Sequence, residues 1–196
     1  MNTQESSIDI LKKIAHREQW QIDVLEKKHS VRYGYTNRVV IIRNPAFSDA
    51  YFISAQNANY NKYNLYSGIF IPVAVPAKFK LILRNRNPLD QLSFIKNKTR
   101  FKIGSSRFDK RFNIVTNNDI EVHKLFSSAK VQDDLIEFMK KDFRLIIGIN
   151  EINPNLNDEL KGKSYLSVFI ATEWILDKEI INEAFIMGKR LKEKLN

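Results

Sequence analysis

Cysteine is absent from the 196-residue chain, which excludes a disulfide framework, a thiolate metal site and a cysteine nucleophile. Glycine is scarce, at six residues, and no Walker loop, GxGxxG turn or GxSxG elbow occurs, so the phosphate-cradling loops of nucleotide hydrolases have little material here. The histidines His16, His29 and His123 lie far apart and show no HExxH or other short ligand spacing, so neither a metal nor a cofactor is expected. Long apolar runs are missing too. The most apolar segment, GIFIPVAVP at 68–76, is broken by Pro72 and Pro76 and falls short of the roughly 20 residues that a membrane-spanning helix needs. The opening MNTQESSIDILKKIAHREQW has an early acid and no apolar core or cleavage site. It reads as neither secretion signal nor anchor, and the expectation is a cytoplasmic protein that does not span a membrane.

Acidic residues are also lacking, but only in one place. Residues 1–77 carry nine Lys/Arg against six Asp/Glu, residues 78–111 eleven against two, and residues 112–196 twelve against fourteen. Nearly all of the net charge of +10 therefore sits in a basic belt of about a sixth of the chain. Within it, Lys78, Lys80 and Arg84 alternate with Phe79, Leu81 and Leu83, and Lys96, Lys98, Arg100 and Lys102 oppose Phe101 and Ile103. Both stretches read as strands with one apolar and one basic face. Joined through residues 85–94 in one antiparallel sheet, they would set several cations on one face, where like charges repel unless a counter-charge is near. Two explanations stand. Lysines keep exposed strand faces wet and discourage edge pairing; or these residues, with Arg107, Lys110 and Arg111, form an anion-binding face. The net negative C-terminal third could supply part of the counter-charge.

Ser6 or Ser7 can cap a first helix whose Ile8, Leu11, Ile14 and Ala15 share a face. From Trp20 to Lys102, alternating and β-branched runs separated by Gly, Pro and Asn read as an antiparallel meander. NANYNKYNLY, 57–66, has a loop composition; its Tyr60, Tyr63 and Tyr66 either stack on a partner or close over the edge of their own sheet. Asn118 or Asp119 can cap one helix and Ser127 or Ser128 a second, in which Val131, Leu135, Ile136 and Met139 form the stripe. FRLIIGI and SYLSVFIATEW read as a strand hairpin, and Asp177 can open an amphipathic terminal helix. The adjacent Asp133 and Asp134 diverge by about 100° on a helix, and Glu151, Asp158 and Glu159 have no partner at catalytic spacing, so no acid–base pair stands out.

The phrase SSRFDKRFNIVTNNDIEVHKLFSS, preceded by GIFI and KFKLILR and followed by a helix and a strand hairpin, resembles a bacterial family catalogued as domain of unknown function 3137. The family pattern of Phe, acid, two basic residues and Phe falls on Phe108, Asp109, Lys110, Arg111 and Phe112, with Asp119 and Glu121 in the turn that follows. The resemblance covers roughly 68–196. It implies a fold and supplies no catalytic residues; the N-terminal apolar helices of many family members have no counterpart here. Read by alternation, FDKRFNIV puts Phe108, Lys110, Phe112 and Ile114 on one strand face and Asp109, Arg111, Asn113 and Val115 on the other. That suits a structural joint leading into a helix cap.

The reading is a single α+β domain over 1–196: a helix in 1–19, mainly strands in 20–115 forming a mostly antiparallel sheet of six or more, and mixed helix and hairpin in 116–196, closed by a helix. The expected function is a non-catalytic binding module whose basic face meets an acidic protein, lipid headgroups or nucleic acid. The alternatives are a structural or self-associating protein and an enzyme of unrecognised class.

Overall fold

The first helix begins where a serine can take up an unbonded amide. In the computed structural model, Ser6 accepts a hydrogen bond from the Asp9 N–H at 3.2 Å and starts α1, Ser7–Arg17, whose Ile8, Leu11, Ile14 and Ala15 are buried as the spacing predicts. The structure describes residues 5–28, 36–56, 65–87, 101–152 and 160–195.

Strands β1 (Gln21–Lys28), β2 (Thr36–Arg43), β3 (Tyr51–Gln56) and β4 (Leu65–Pro72) form the expected meander, each antiparallel to the next; a 3₁₀ turn at Pro45–Phe47 separates β2 from β3. The meander stops there. β5 (Leu81–Asn85) pairs with β6 (Phe112–Thr116) and β7 (Ile146–Ile149), and β7 pairs in turn with β8 (Tyr165–Ile170). β8 then pairs with β4, so the hairpin foreseen in the C-terminal part is inserted between β4 and β5. The result is one eight-stranded antiparallel sheet in the order β1-β2-β3-β4-β8-β7-β5-β6. Gly68 is what lets β8 come so close: a Cβ there would lie 2.2 Å from the Val168 carbonyl oxygen.

Four helices complete the α+β fold. α3 (Asp119–Phe126) is capped by Asn118, α4 (Ala129–Lys141) follows Ser128, and α5 (Lys178–Leu195) has its first amides bonded to Asp177. These three agree with the spacing. α2 (Ser106–Arg111) does not: Phe108–Arg111 is helical where alternation predicted strand, and extended structure begins only at Phe112. The cause lies in two side chains. Phe108 is fully buried, its ring 4.7 Å from Phe112 and 5.6 Å from Phe126. Asp109 accepts from the Ile103 and Gly104 N–H groups at 2.9 and 3.0 Å, closing a turn that an extended chain would open.

The apolar stripes of the helices cover one face of the sheet, packing on Ile69, Ile71, Leu81, Leu83, Ile147, Ile149, Leu166 and Val168. A smaller cluster occupies the other face, with Ile41, Ile53, Tyr66, Phe70 and Phe169 under Ile152 and Leu160. Every residue of β8 is buried, which places the inserted hairpin at the centre of the molecule. Asn150, at φ 52°, ties it to β5 by donating to the Phe79 carbonyl at 2.9 Å and accepting from the Tyr165 N–H at 3.1 Å. Among the described residues, no helix is long and apolar enough to cross a membrane.

Candidate anion-binding cleft

β5 carries the basic belt into the sheet and divides it. Lys78 and Lys80 lie exposed before the strand begins, their backbone held by Asn117, which accepts from the Lys80 N–H at 2.8 Å and donates to the Lys78 carbonyl at 2.7 Å. Arg84 and Arg86 lie at the far end, half-buried. At about 3.3 Å per residue, Lys80 and Arg86 are roughly 20 Å apart along the chain. Among the described residues, the belt's second stretch meets the sheet at an isolated bridge from Phe101 to Ile114, so β6 stands between it and β5. Lys102 is exposed beside that bridge. Lys96, Lys98 and Arg100 lie outside the described residues, as do Tyr60, Tyr63 and His29.

Tyr66 requires a correction as an exposed contact residue. It is fully buried within β4, its ring 5.7 Å from Phe70. Burial pushes its hydroxyl well above the ordinary tyrosine range, and the same cause, with Tyr66 and Glu151 nearby, raises Tyr165. His123 stacks edge-on against Phe101 at 4.9 Å, a packing role.

The three cations of the FDKR phrase separate. Lys110 is exposed. Arg107 faces α4, with Asp133 at 2.6 Å and Glu137 at 3.7 Å, so the acidic C-terminal third does compensate part of the belt, here within one chain. Arg111, one turn on, has no hydrogen bond from its side chain to any described residue; its Nε is buried without a partner. Its field reaches Glu137, whose carboxyl is lowered first by the hydrogen bond from Lys140 and then by Lys140, Arg107 and Arg111 as charges.

Arg111 opens onto a cleft of about 410 Å³ with Arg84, Arg86 and Arg144, and no carboxylate stands among its described lining residues. Local bonding fixes its walls. The Arg86 N–H donates to the Arg111 carbonyl at 3.0 Å and its Nε to the Phe112 carbonyl at 3.2 Å, locking the end of β5 to the α2–β6 junction. Asn85 turns to the helix side and donates to the Met139 and Phe143 carbonyls at 3.1 and 3.0 Å, satisfying the end of α4, while its own Oδ1 is buried without a donor. Phe143 stands 75% exposed at the rim. Arg144 is held by a two-bond fork from Asp142, at 2.9 and 2.5 Å, and by Glu173 at 2.5 Å. That fork lowers the Asp142 carboxyl and raises the Arg144 guanidinium. Four arginines thus line one cleft, and one of them, Arg111, has a buried Nε without an acceptor.

Sequence reasoning named Arg84 and Arg111 and missed Arg86, Asn85 and Phe143. Arg86 carried a signal, since it extends the period-two run of Arg84. Asn85 and Phe143 carried none, because their roles arise from where α4 ends against β5.

No family model and no curated protein matches the chain. Among solved structures, the fold is similar to the crystal structure of the mycobacterial trehalose monomycolate transport factor A, with a TM-score of 0.53 and 11% sequence identity over 98% of this chain and 96% of that one.

Proposed function

We propose that this chain is a non-catalytic binding module that holds an anionic group of its partner in the cleft between β5, α2 and β7. The observation that carries this reading is Arg111: a guanidinium whose buried Nε has no acceptor, in a cleft with Arg84 and Arg86 and no carboxylate among its described lining. An arginine donor left unfilled in a partly buried site is costly, and an oxyanion supplies the missing acceptor in matching planar geometry. The ten-cation face thus narrows to one pocket. A compact anionic group suits it better than a long polyanion, because the lysines at 78–80 and the arginines at 84–86 sit at opposite ends of one strand. The fold neighbour is by name a transport factor, and a binding role is compatible with that likeness. Membership of the family resembled by the FDKRF phrase, and a cytoplasmic setting, belong to the same proposal.

Calorimetric titration with inorganic phosphate tests it. The parent is expected to bind, and Arg86→Gln with Arg111→Gln to weaken binding at least about tenfold, the lower end for hydrogen bonds to charged groups. Equal binding by the folded double variant sinks the reading.

A further inference from the structure

The arginine cleft does not end at Arg144. The same side chain lines a second cleft, of about 640 Å³, across the ends of β2, β3, β4 and β8. The two alternate along the chain: Ile170 lines the second, Ala171 and Thr172 the first, and Glu173 and Trp174 the second again. Residues 170–174 and Arg144 are therefore their shared wall. The second cleft has the size of a small-molecule site, a range of roughly 300–1,000 Å³. Ile8, Leu65, Ile170, Ile175 and Ile180 give it an apolar wall.

Two buried donors of its lining have no hydrogen-bond acceptor among the described residues. Asp142 and Glu173 hold Arg144, Asp177 accepts from the first amides of α5, and Arg38 faces Glu26 at 3.3 Å. The two unfilled donors are Arg38 Nε, which has only the ion-pair contact with Glu26, and Trp174, whose buried indole Nε1 donates to no described residue. A buried indole N–H normally finds an acceptor. An apolar wall with two unfilled donors beside an arginine cluster with another is the imprint of a molecule with a charged end and a long apolar end.

We infer that the two clefts form one site for an anionic amphiphile, its phosphate or carboxylate headgroup on Arg86 and Arg111 and its alkyl chain along the Trp174 wall. This rests on the anion-binding reading above and adds the class of ligand. Arg144 is the hinge between the two ends. Its fork to Asp142, a carboxylate only 9% exposed, keeps the guanidinium in place, while Glu173, 51% exposed, can swing to solvent and leave its bond to the headgroup. In a ligand with an ester carbonyl between headgroup and chain, that oxygen supplies the acceptor for Trp174; dodecyl phosphate, which has none, tests the headgroup and the chain.

The chain has two tryptophans, so Trp20→Phe leaves Trp174 as the sole indole reporter. Its emission is followed on titration with dodecyl phosphate below micelle formation, with inorganic phosphate, and with phosphatidylglycerol vesicles. Dodecyl phosphate is expected to saturate the signal and to bind at least about 50-fold tighter than inorganic phosphate, the gain for burying roughly three methylenes. Arg86→Gln with Arg111→Gln should weaken both ligands, and Ile180→Glu only the dodecyl one; Leu65→Gln replaces the latter if its circular dichroism shows misfolding. Equal affinity for the two phosphates overturns the amphiphile inference and leaves the anion reading standing. Indifference of both ligands to the arginine substitutions overturns both. A response confined to vesicles also overturns the inference, because it moves the contact from a cleft to a membrane surface.

Discussion

Arg107 and Arg111 are one helical turn apart on α2, and they meet opposite surroundings. Arg107 faces two carboxylates of α4 and is neutralised where it stands. Arg111 faces the end of β5, where Arg84 and Arg86 arrive with no carboxylate among the described lining residues. Both belong to the same run of eleven cations. A high local charge in the sequence therefore does not by itself stay uncompensated; packing decides which cations meet acids and which do not. The acids of the C-terminal third go largely to structural pairs, with Asp134 to Arg190 and Lys130, Glu183 to Lys141, and Glu173 to Arg144.

The comparison can be broken at its root by removing what holds α2. Phe108→Ala deletes a fully buried ring packed on Phe112 and Phe126 and should lower unfolding stability by about 3–5 kcal/mol in urea titration, with anion binding lost alongside. Substituting Arg86 and Arg111 by Gln removes the Arg86 bond to the Phe112 carbonyl and should cost about 0.5–1.5 kcal/mol, while anion affinity falls tenfold or more. That separation is the sharpest test of the contrast. Asp142→Asn takes the Arg144 fork apart and should destabilise by about 1 kcal/mol at pH 7, a modest figure because Arg144 is 36% exposed. Arg144 holds the Asp142 carboxyl below its ordinary value, so its contribution is complete above an unfolded pKa of about 3.9 and is lost as pH falls through the lower folded value. The melting-temperature gap between parent and variant should therefore close as pH falls below about 4. The smallest effect belongs to Arg107→Gln: both carboxylates it meets are more than half exposed, so the loss is at most about 1 kcal/mol, and phosphate affinity stays within twofold.

Local features were legible from the sequence. The α1 stripe, the Asn118 and Asp177 caps, and the alternation of β1–β5 each follow from neighbours within a few residues, and all are found. What lay beyond reach was set by distant partners. The place of the hairpin between β4 and β5 depends on pairings such as Phe70 with Ser167 and Leu83 with Ile147, which no window along the chain contains. Phe108–Phe112 fits a period of two as well as it fits a single helical turn, and the choice falls to the core contact with Phe126. Tyr66 looked exposed by the company of asparagines before it, but its register opposite Ala55 puts it inside the sheet. The cleft was half visible, as charge without its depth, because depth comes from Asn85 binding the end of α4 and Arg86 binding the start of β6.

The insertion of β7 and β8 has an order in time written into it. During synthesis β4 leaves the ribosome long before its partner β8, and, among the described residues, β5 and β6 are joined to the first meander's sheet through β7 and β8. Until that last third is made, two sheet edges stand open that the finished molecule hides at its centre. Those seconds of exposure, about 100 residues at roughly 5–20 per second, not the folded state, are when this chain is most apt to pair with another, and a protecting companion at that stage would serve it more than any added stability later.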